Sequence, residues 1–208
     1  MKESPPRTRL RIDPSDLVLE IISIVIAILL ALGVNEWRDA LRARANAHEA
    51  MVAIRDEIVA NDRELHALMP HHLANLQAFR ALLKGSSRQR PVSFDTFMET
   101  FGRVNPHGFQ AVQAESTAWD LARGSGVLSA VPYATRVALE RAYREQSFLN
   151  TYPDRIIADL HFGVAPRNAD FRFAANGFWI DTADAVLTEQ RLAQDYAAAR
   201  KALDAALR

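Results

Sequence analysis

The chain contains no cysteine, and its charges show no excess of either sign. The first absence excludes disulfide bonds, catalysis by a thiol and a lipid anchor attached to cysteine. The second follows from 25 basic and 25 acidic residues among 208. A balanced charge gives no electrostatic footprint for nucleic acid, so we expect no nucleic-acid partner. The length accommodates one membrane helix and one domain of ordinary size.

Motifs that carry chemistry are also scarce. His66, His71 and His72 form the only histidine cluster, but their spacings of five and six miss the three or four that a helical zinc site needs. We interpret them as exposed histidines beside Pro70. The sequence Gly124-Ser125-Gly126 lacks the residues of a nucleophile elbow or a phosphate loop and is typical of a helix stop. The sequence therefore predicts no catalytic residue, no cofactor and no metal site.

One long hydrophobic run stands out against these absences. Residues 17–34 contain a single charge, Glu20, and a helix of about 20 mostly apolar residues is long enough to cross a bilayer. Asp13 and Pro14 provide a good helix start. We therefore predict a flexible basic tail over residues 1–13 and a transmembrane helix over residues 14–36.

A cleaved signal peptide is the competing interpretation of this region, with residues 31–33 as a passable cleavage site. The long tail before the run, its acidic residues and Glu20 argue against it. So does the sequence after the run, which continues as helix without glycine or proline. Trp37 and Arg38 fall where the helix leaves the bilayer, a position that suits an indole and a guanidinium.

The flanking charges predict an orientation. Four basic residues precede the run and three follow it closely. Because basic residues favour the cytoplasmic side, we expect the N-terminus in the cytoplasm and the C-terminal domain outside it.

One stripe of the predicted span carries Glu20, Ser23, Ala27 and Ala31. Small residues at this spacing let two helices approach closely in lipid, and a glutamate facing lipid is costly. The stripe favours self-association or docking onto another membrane helix. The alternative is that the small residues are incidental and that Glu20 reaches the head groups.

The helix is predicted to continue over residues 37–84, with a kink or division near Pro70. A heptad register places the following residues on one seam: Trp37, Ala40, Arg44, Ala47, Met51, Ile54, Ile58, Asn61, Leu65 and Leu68. Asn61 is the polar member, and a buried asparagine can set the register of a coiled coil. The alternative is that this helix packs inside its own domain. That alternative is favoured, because two good heptads are too few to establish a coiled coil.

Residues 85–208 are predicted to complete an all-α bundle. Helices are expected over 93–101 and 111–123, then from Pro132, with a further turn or two near Ile156 and a final helix from Asp181. Residues 162–180 read as irregular, and a hairpin turn at Asn176-Gly177 is possible there. Trp119 is expected in the core beside an exposed Asp120–Arg123 pair, and the adjacent acids Asp56 and Glu57 on a solvated helix face.

These features resemble a group of uncharacterised bacterial single-pass membrane proteins. The resemblance lies in Glu20, in Asn35-Glu36-Trp37, in the long helix that follows, in Ala118-Trp119-Asp120-Leu121 before a glycine turn, and in a helix with a tyrosine like Tyr143. It covers roughly residues 17–150. It implies a helical domain anchored in the bacterial inner membrane, and it brings no catalytic residues.

Together these features predict a membrane-anchored structural or accessory subunit without catalytic activity. Its expected partners are the lipid bilayer and either further copies of itself or a membrane protein complex. The alternative is an extracytoplasmic ligand-binding or sensing module that signals through a partner. In that case the aromatic residues of 94–119 and 171–179 would line the pocket.

Overall fold

The computed structural model describes residues 14–85, 94–106, 108, 110–158 and 171–208. Within these ranges the regular elements are all helical, which confirms the all-α class. They are α1 (Pro14–Gly85), α2 (Phe94–Val104), α3 (Thr117–Ser125), the 3-10 helix η1 (Val127–Ala130), α4 (Tyr133–Leu149), α5 (Tyr152–Ala158) and α6 (Phe171–Ala206). The predicted tail 1–13, residues 86–93 and residues 159–170, which include the first part of the irregular stretch 162–180, lie outside the described residues.

The chain divides into two compact units, Met1–Asn46 and Ala47–Arg208. In the described part of the first unit, the side chains are exposed on every side of α1. Among the described residues, no helix combines the length and the apolar character that are needed to cross a bilayer.

The second unit has a single hydrophobic core. The seam predicted for α1 is buried from Ala47 to Leu65 and partly buried at Leu68, so the heptad pattern marks the face that packs inside the domain. The core joins residues of α1, α4 and α6: Ala47, Met51, Ile54, Ile58, Leu65, Leu139, Ala142, Tyr143, Leu149, Leu192, Tyr196, Ala199 and Leu203. Three large apolar residues of α4 and α6 are instead about half exposed: Val137, Phe148 and Leu187.

Helix α1 runs through Pro70 as one helix, so of the predicted kink or division the division does not occur. A proline inside a helix removes one hydrogen bond and costs roughly 3 kcal/mol. The turns on both sides are held by packing, since Leu65, His72 and Phe79 are all buried. Tertiary burial of the flanking turns offsets the local cost.

Helix α6 begins ten residues before the predicted start at Asp181, so a hairpin at Asn176-Gly177 is wrong. The early turns have a buried face that the sequence pattern does not reveal. Phe178 stacks on Phe79 at 6.1 Å between ring centroids and meets Phe101 at 4.9 Å. This aromatic contact between α1, α2 and α6 stabilises the added turns as helix.

Candidate functional site

The first unit presents an apolar surface along α1. Ten large aliphatic side chains between Leu19 and Val34 are each about half exposed or more. Ser23, Ala27 and Ala31, the small residues of the predicted stripe, are also exposed. The side chain of Glu20 lies outside the described residues. Trp37 is 64% exposed, and Arg38 is exposed beside it.

In the second unit, Glu57 of α1 binds the start of α3. Its Oε2 accepts the backbone N–H of Ala118 at 2.7 Å, and its Oε1 accepts that of Trp119 at 3.4 Å. Ser116, at the N-cap position, makes no capping hydrogen bond with its side chain. A carboxylate from another helix therefore satisfies the free N–H groups of α3, where negative charge also suits the helix dipole.

Asn61 lies one turn further along α1 and holds residue 115 through its backbone. Its amide oxygen accepts the N–H of Glu115 at 3.0 Å, and its amide nitrogen donates to the carbonyl of the same residue at 2.7 Å. The side chain thus binds both backbone groups of one residue, as a neighbouring strand would. Asn61 is buried, and these contacts inside the chain explain its polarity without a partner helix.

These contacts explain why a segment that the sequence predicted to be helical is not part of a helix. Residues 111–116 were expected to be helical, but α3 begins only at Thr117. Glu64 Oε1 accepts the N–H of Gln113 at 2.8 Å, and Gln146 Nε2 donates to the carbonyls of Ala114 and Glu115. Backbone groups that a helix would satisfy internally are here satisfied by side chains from α1 and α4.

Gln146 connects this segment to α6. Its amide oxygen accepts the Tyr196 hydroxyl at 2.6 Å, while its nitrogen binds residues 114 and 115. Burial raises the pKa of Tyr196, and burial together with Glu57 raises that of Tyr143. Both phenols therefore stay protonated and act as hydrogen-bond donors rather than as bases.

His72 and Glu189 form a buried charged pair between α1 and α6. His72 Nδ1 lies 2.5 Å from Glu189 Oε1, and its Nε2 lies 2.5 Å from the carbonyl oxygen of Gln110. Both neighbours offer acceptor oxygens, and this arrangement favours the doubly protonated ring, which can donate from both nitrogens. Burial lowers the pKa of His72, but the bond to Glu189, its charge and the Gln110 carbonyl raise it more, and the net shift is upward.

The histidine cluster is therefore not a group of three exposed rings. His66 is exposed and lies against Asp62, and His71 contacts the carbonyl of Gly108, but His72 is almost fully buried. Among the residues that the structure describes, no three His, Asp or Glu side chains are grouped so that they could hold a metal ion.

A surface cleft of about 560 Å³ lies beside the contact between α3 and α4. Trp119 and Tyr143 stack there with their ring centroids 5.0 Å apart and their planes nearly parallel. Trp119 is in the core, as predicted, and the exposed Asp120–Arg123 ion pair beside it is confirmed at 3.7 Å. The lining carries side chains of both charge signs, which suit a polar ligand. These are Asp120, Arg123, Glu140 and Arg144.

The aromatic residues proposed from sequence to line a pocket only partly do so. Trp119 lines the cleft, but Phe101 and Phe178 pack against each other and against Phe79. Glu57, Gln146 and Glu189 were missed. The only sign in the sequence that Glu57 and Glu189 are bound inside the domain is that each lies on the apolar side of its helix. A single carboxylate in that position is easily interpreted as a residue at the solvent-exposed border of the buried face.

Comparisons with protein-family models, with curated proteins and with solved structures found no significant match. The functional argument therefore rests on the chain's own residues.

Proposed function

We propose that this chain is a membrane-anchored helical protein that acts without catalysis, as a structural or accessory subunit. In this proposal residues 14–36 are the membrane anchor, and the unit 47–208 is a helical domain outside the bilayer. The observation that carries the proposal is the apolar surface of α1 between Leu19 and Val34, which is exposed on every side.

Such a surface needs a covering partner. A helix that is apolar all round is typical of a membrane span or of a fully buried core helix. Ten exposed aliphatic side chains far exceed the scattered exposure that a water-facing helix tolerates. Lipid covers all sides of a helix at once. The side chains of four more residues of the run lie outside the described residues and are assigned to the anchor from the sequence: Leu17, Val18, Glu20 and Ile21.

Trp37 and Arg38 support the same interpretation. An exposed indole and guanidinium directly after the apolar run suit the interface between lipid and water. The resemblance to bacterial single-pass membrane proteins implies that this membrane is the inner membrane. The excess of basic residues before the run places the N-terminus in the cytoplasm.

Membrane attachment is tested by extracting cell membranes with alkaline carbonate. We expect the chain to stay in the membrane pellet and to be released only by detergent. The double variant Ile26→Asp and Leu29→Asp should move to the soluble fraction because two buried carboxylates oppose insertion. Leu121→Asp is a matched control, since Leu121 is as exposed as Leu29 but lies in the second unit. Release of the unmodified chain by carbonate would reject the anchor.

Assembly through the stripe of Ser23, Ala27 and Ala31 is tested separately, by mass measurement in mild detergent. Ala27→Ile together with Ala31→Ile should weaken assembly because larger side chains block close helix approach. Val25→Ile with Leu29→Phe enlarges the opposite face and should leave the mass unchanged. A strict monomer that captures no partner contradicts the subunit role.

Orientation is tested with reporters fused after Arg208. A reporter that is active only outside the cytoplasm should be active, and Glu20→Leu should not change that result. Activity of a cytoplasm-only reporter at the same position would place the domain inside and make its partners cytosolic.

The cleft beside α3 favours a second candidate, a ligand-binding or sensing module. Its volume falls in the range of roughly 300–1,000 Å³ that small-molecule sites occupy. The mixed charges of its lining suit a small zwitterion. Fluorescence of Trp119 in a Trp37→Phe and Trp179→Phe background, titrated with the twenty amino acids, tests this candidate. A saturable change that Arg144→Gln removes and that Arg80→Gln leaves intact supports it, and no change with any amino acid rejects it.

A further inference from the structure

A second cleft, of about 570 Å³, lies between α1 and the C-terminal part of α6. We call it the cationic cleft because four of its lining residues are basic, Arg55, Arg200, Lys201 and Arg208, and one is acidic, Asp204. The whole chain is neutral, so this is a local concentration of positive charge. The cleft belongs to the second unit and owes nothing to the apolar part of α1.

Two of the four basic groups have a carboxylate partner. Arg55 pairs with Asp56 at 3.1 Å, and Arg200 pairs with Asp62 at 3.4 Å. A guanidinium has five N–H donors, and these contacts use only part of each set. Both arginines are partly exposed, so each still has donors that can reach an anion.

The other two basic groups have no such partner. Lys201 and Arg208 are exposed, and neither makes an ion pair within the described part of the chain. The helix dipole does not explain Lys201 and Arg208, because α6 ends at Ala206 without a basic residue in its last turn. Arg55 faces the same cleft from the middle of α1.

We propose that the cationic cleft binds a phosphate group, either of a free phosphate compound or of a lipid head group. Arginine suits this ligand because its planar donors match two phosphate oxygens, and lysine adds a point charge. The site goes beyond the proposed function and does not depend on it, since a free phosphate can bind whether or not α1 spans a membrane.

The test uses the full chain in micelles of an uncharged detergent, at low ionic strength. Inorganic phosphate and pyrophosphate are titrated by calorimetry, and dihexanoyl phosphatidylglycerol is titrated against dihexanoyl phosphatidylcholine in the same way. Saturable binding of phosphate or pyrophosphate indicates a free ligand. Binding that appears only with phosphatidylglycerol indicates a head group. Both results support the site.

The variant Lys201→Gln with Arg208→Gln should lower the affinity at least about tenfold, because each charge-assisted hydrogen bond contributes substantially. Arg80→Gln with Lys84→Gln removes the same charge from exposed positions of α1 outside the cleft, and it should change the affinity less than about twofold. Circular dichroism confirms that both variants keep their helices.

The site is rejected if none of the anionic probes binds, or if the cleft variant binds as tightly as the control variant. Neither result bears on carbonate extraction, so failure of this site and failure of the membrane anchor are distinguishable.

Discussion

The hydroxyl of Tyr143 on α4 donates a 2.6 Å hydrogen bond to Glu57 Oε1 on α1. The same carboxylate accepts the first N–H groups of α3, so one side chain fixes the positions of two other helices. Glu57 is thus an organising residue of the domain, and it binds Trp119 and Tyr143, which line the cleft beside α3.

Replacing Glu57 with alanine should lower the free energy of unfolding by about 2 kcal/mol, because α3 loses its cap and a buried hydroxyl loses its acceptor. Chemical denaturation followed by circular dichroism measures the loss. Asp56→Ala removes the neighbouring carboxylate, which is exposed, and should change stability by less than about 0.5 kcal/mol. Equal effects of the two substitutions would contradict this role.

Asn61→Ala should cost about 2 kcal/mol, because it leaves the N–H of Glu115 without an acceptor and removes one of the two donors to its carbonyl, the other being Gln146 Nε2. Asn176→Ala serves as the control, since Asn176 is exposed on α6 and its loss should not destabilise the domain. Hydrogen exchange adds a local readout, in which the amide of Glu115 should exchange faster in the Asn61 variant. Unchanged protection of that amide would show that the bond is unimportant.

The pair of His72 and Glu189 should make stability depend on pH. The pKa of His72 is raised above its ordinary value of 6.5 in the folded chain. The stabilisation is therefore complete below about pH 6.5 and is lost as the pH rises through the folded pKa. The difference in unfolding free energy between the unmodified chain and Glu189→Gln should shrink across that rise. A difference that stays constant, or that grows with pH, would contradict the charged pair.

Gly177→Ala should raise stability by about 0.5–1 kcal/mol, because alanine favours a helix over glycine. A Cβ at this position meets no atom within 4 Å, and Gly177 lies inside α6. Gly126→Ala is the contrasting control, since Gly126 has a φ of +74° and alanine is strained there. A loss of stability in Gly177→Ala would favour the hairpin turn over the helix, and thermal unfolding distinguishes the two.

The sequence predicted the α1 seam well because apolar residues at a regular spacing mark the buried face directly. Ile54, Ile58 and Leu65 were assigned to the core from spacing alone, and all three are fully buried. The stop of α3 was equally clear, since Gly126 adopts the left-handed conformation that ends a helix.

The missed elements share a different cause. The segment 110–116 has a helical pattern, yet Asn61, Glu64 and Gln146 bind its backbone from positions 31 to 54 residues away. The buried state of His72 likewise depends on Glu189, 117 residues later. Such long-range partners override local propensity, and a single sequence gives no sign of which residues will meet.

The separation of His72 from Glu189 also has a consequence for the order of synthesis. Ribosomes make the chain from its N-terminus, so α1 emerges long before its partners in α6. Glu115, the partner of Asn61, is made 54 residues after it. Tyr143, a partner of Glu57, is made 86 residues after it. His72 has no carboxylate to pair with until almost the whole chain has been made. Helix α1 can therefore acquire its neighbours in α3 and α4 first, and it completes its native contacts only once Glu189 of α6 has been made.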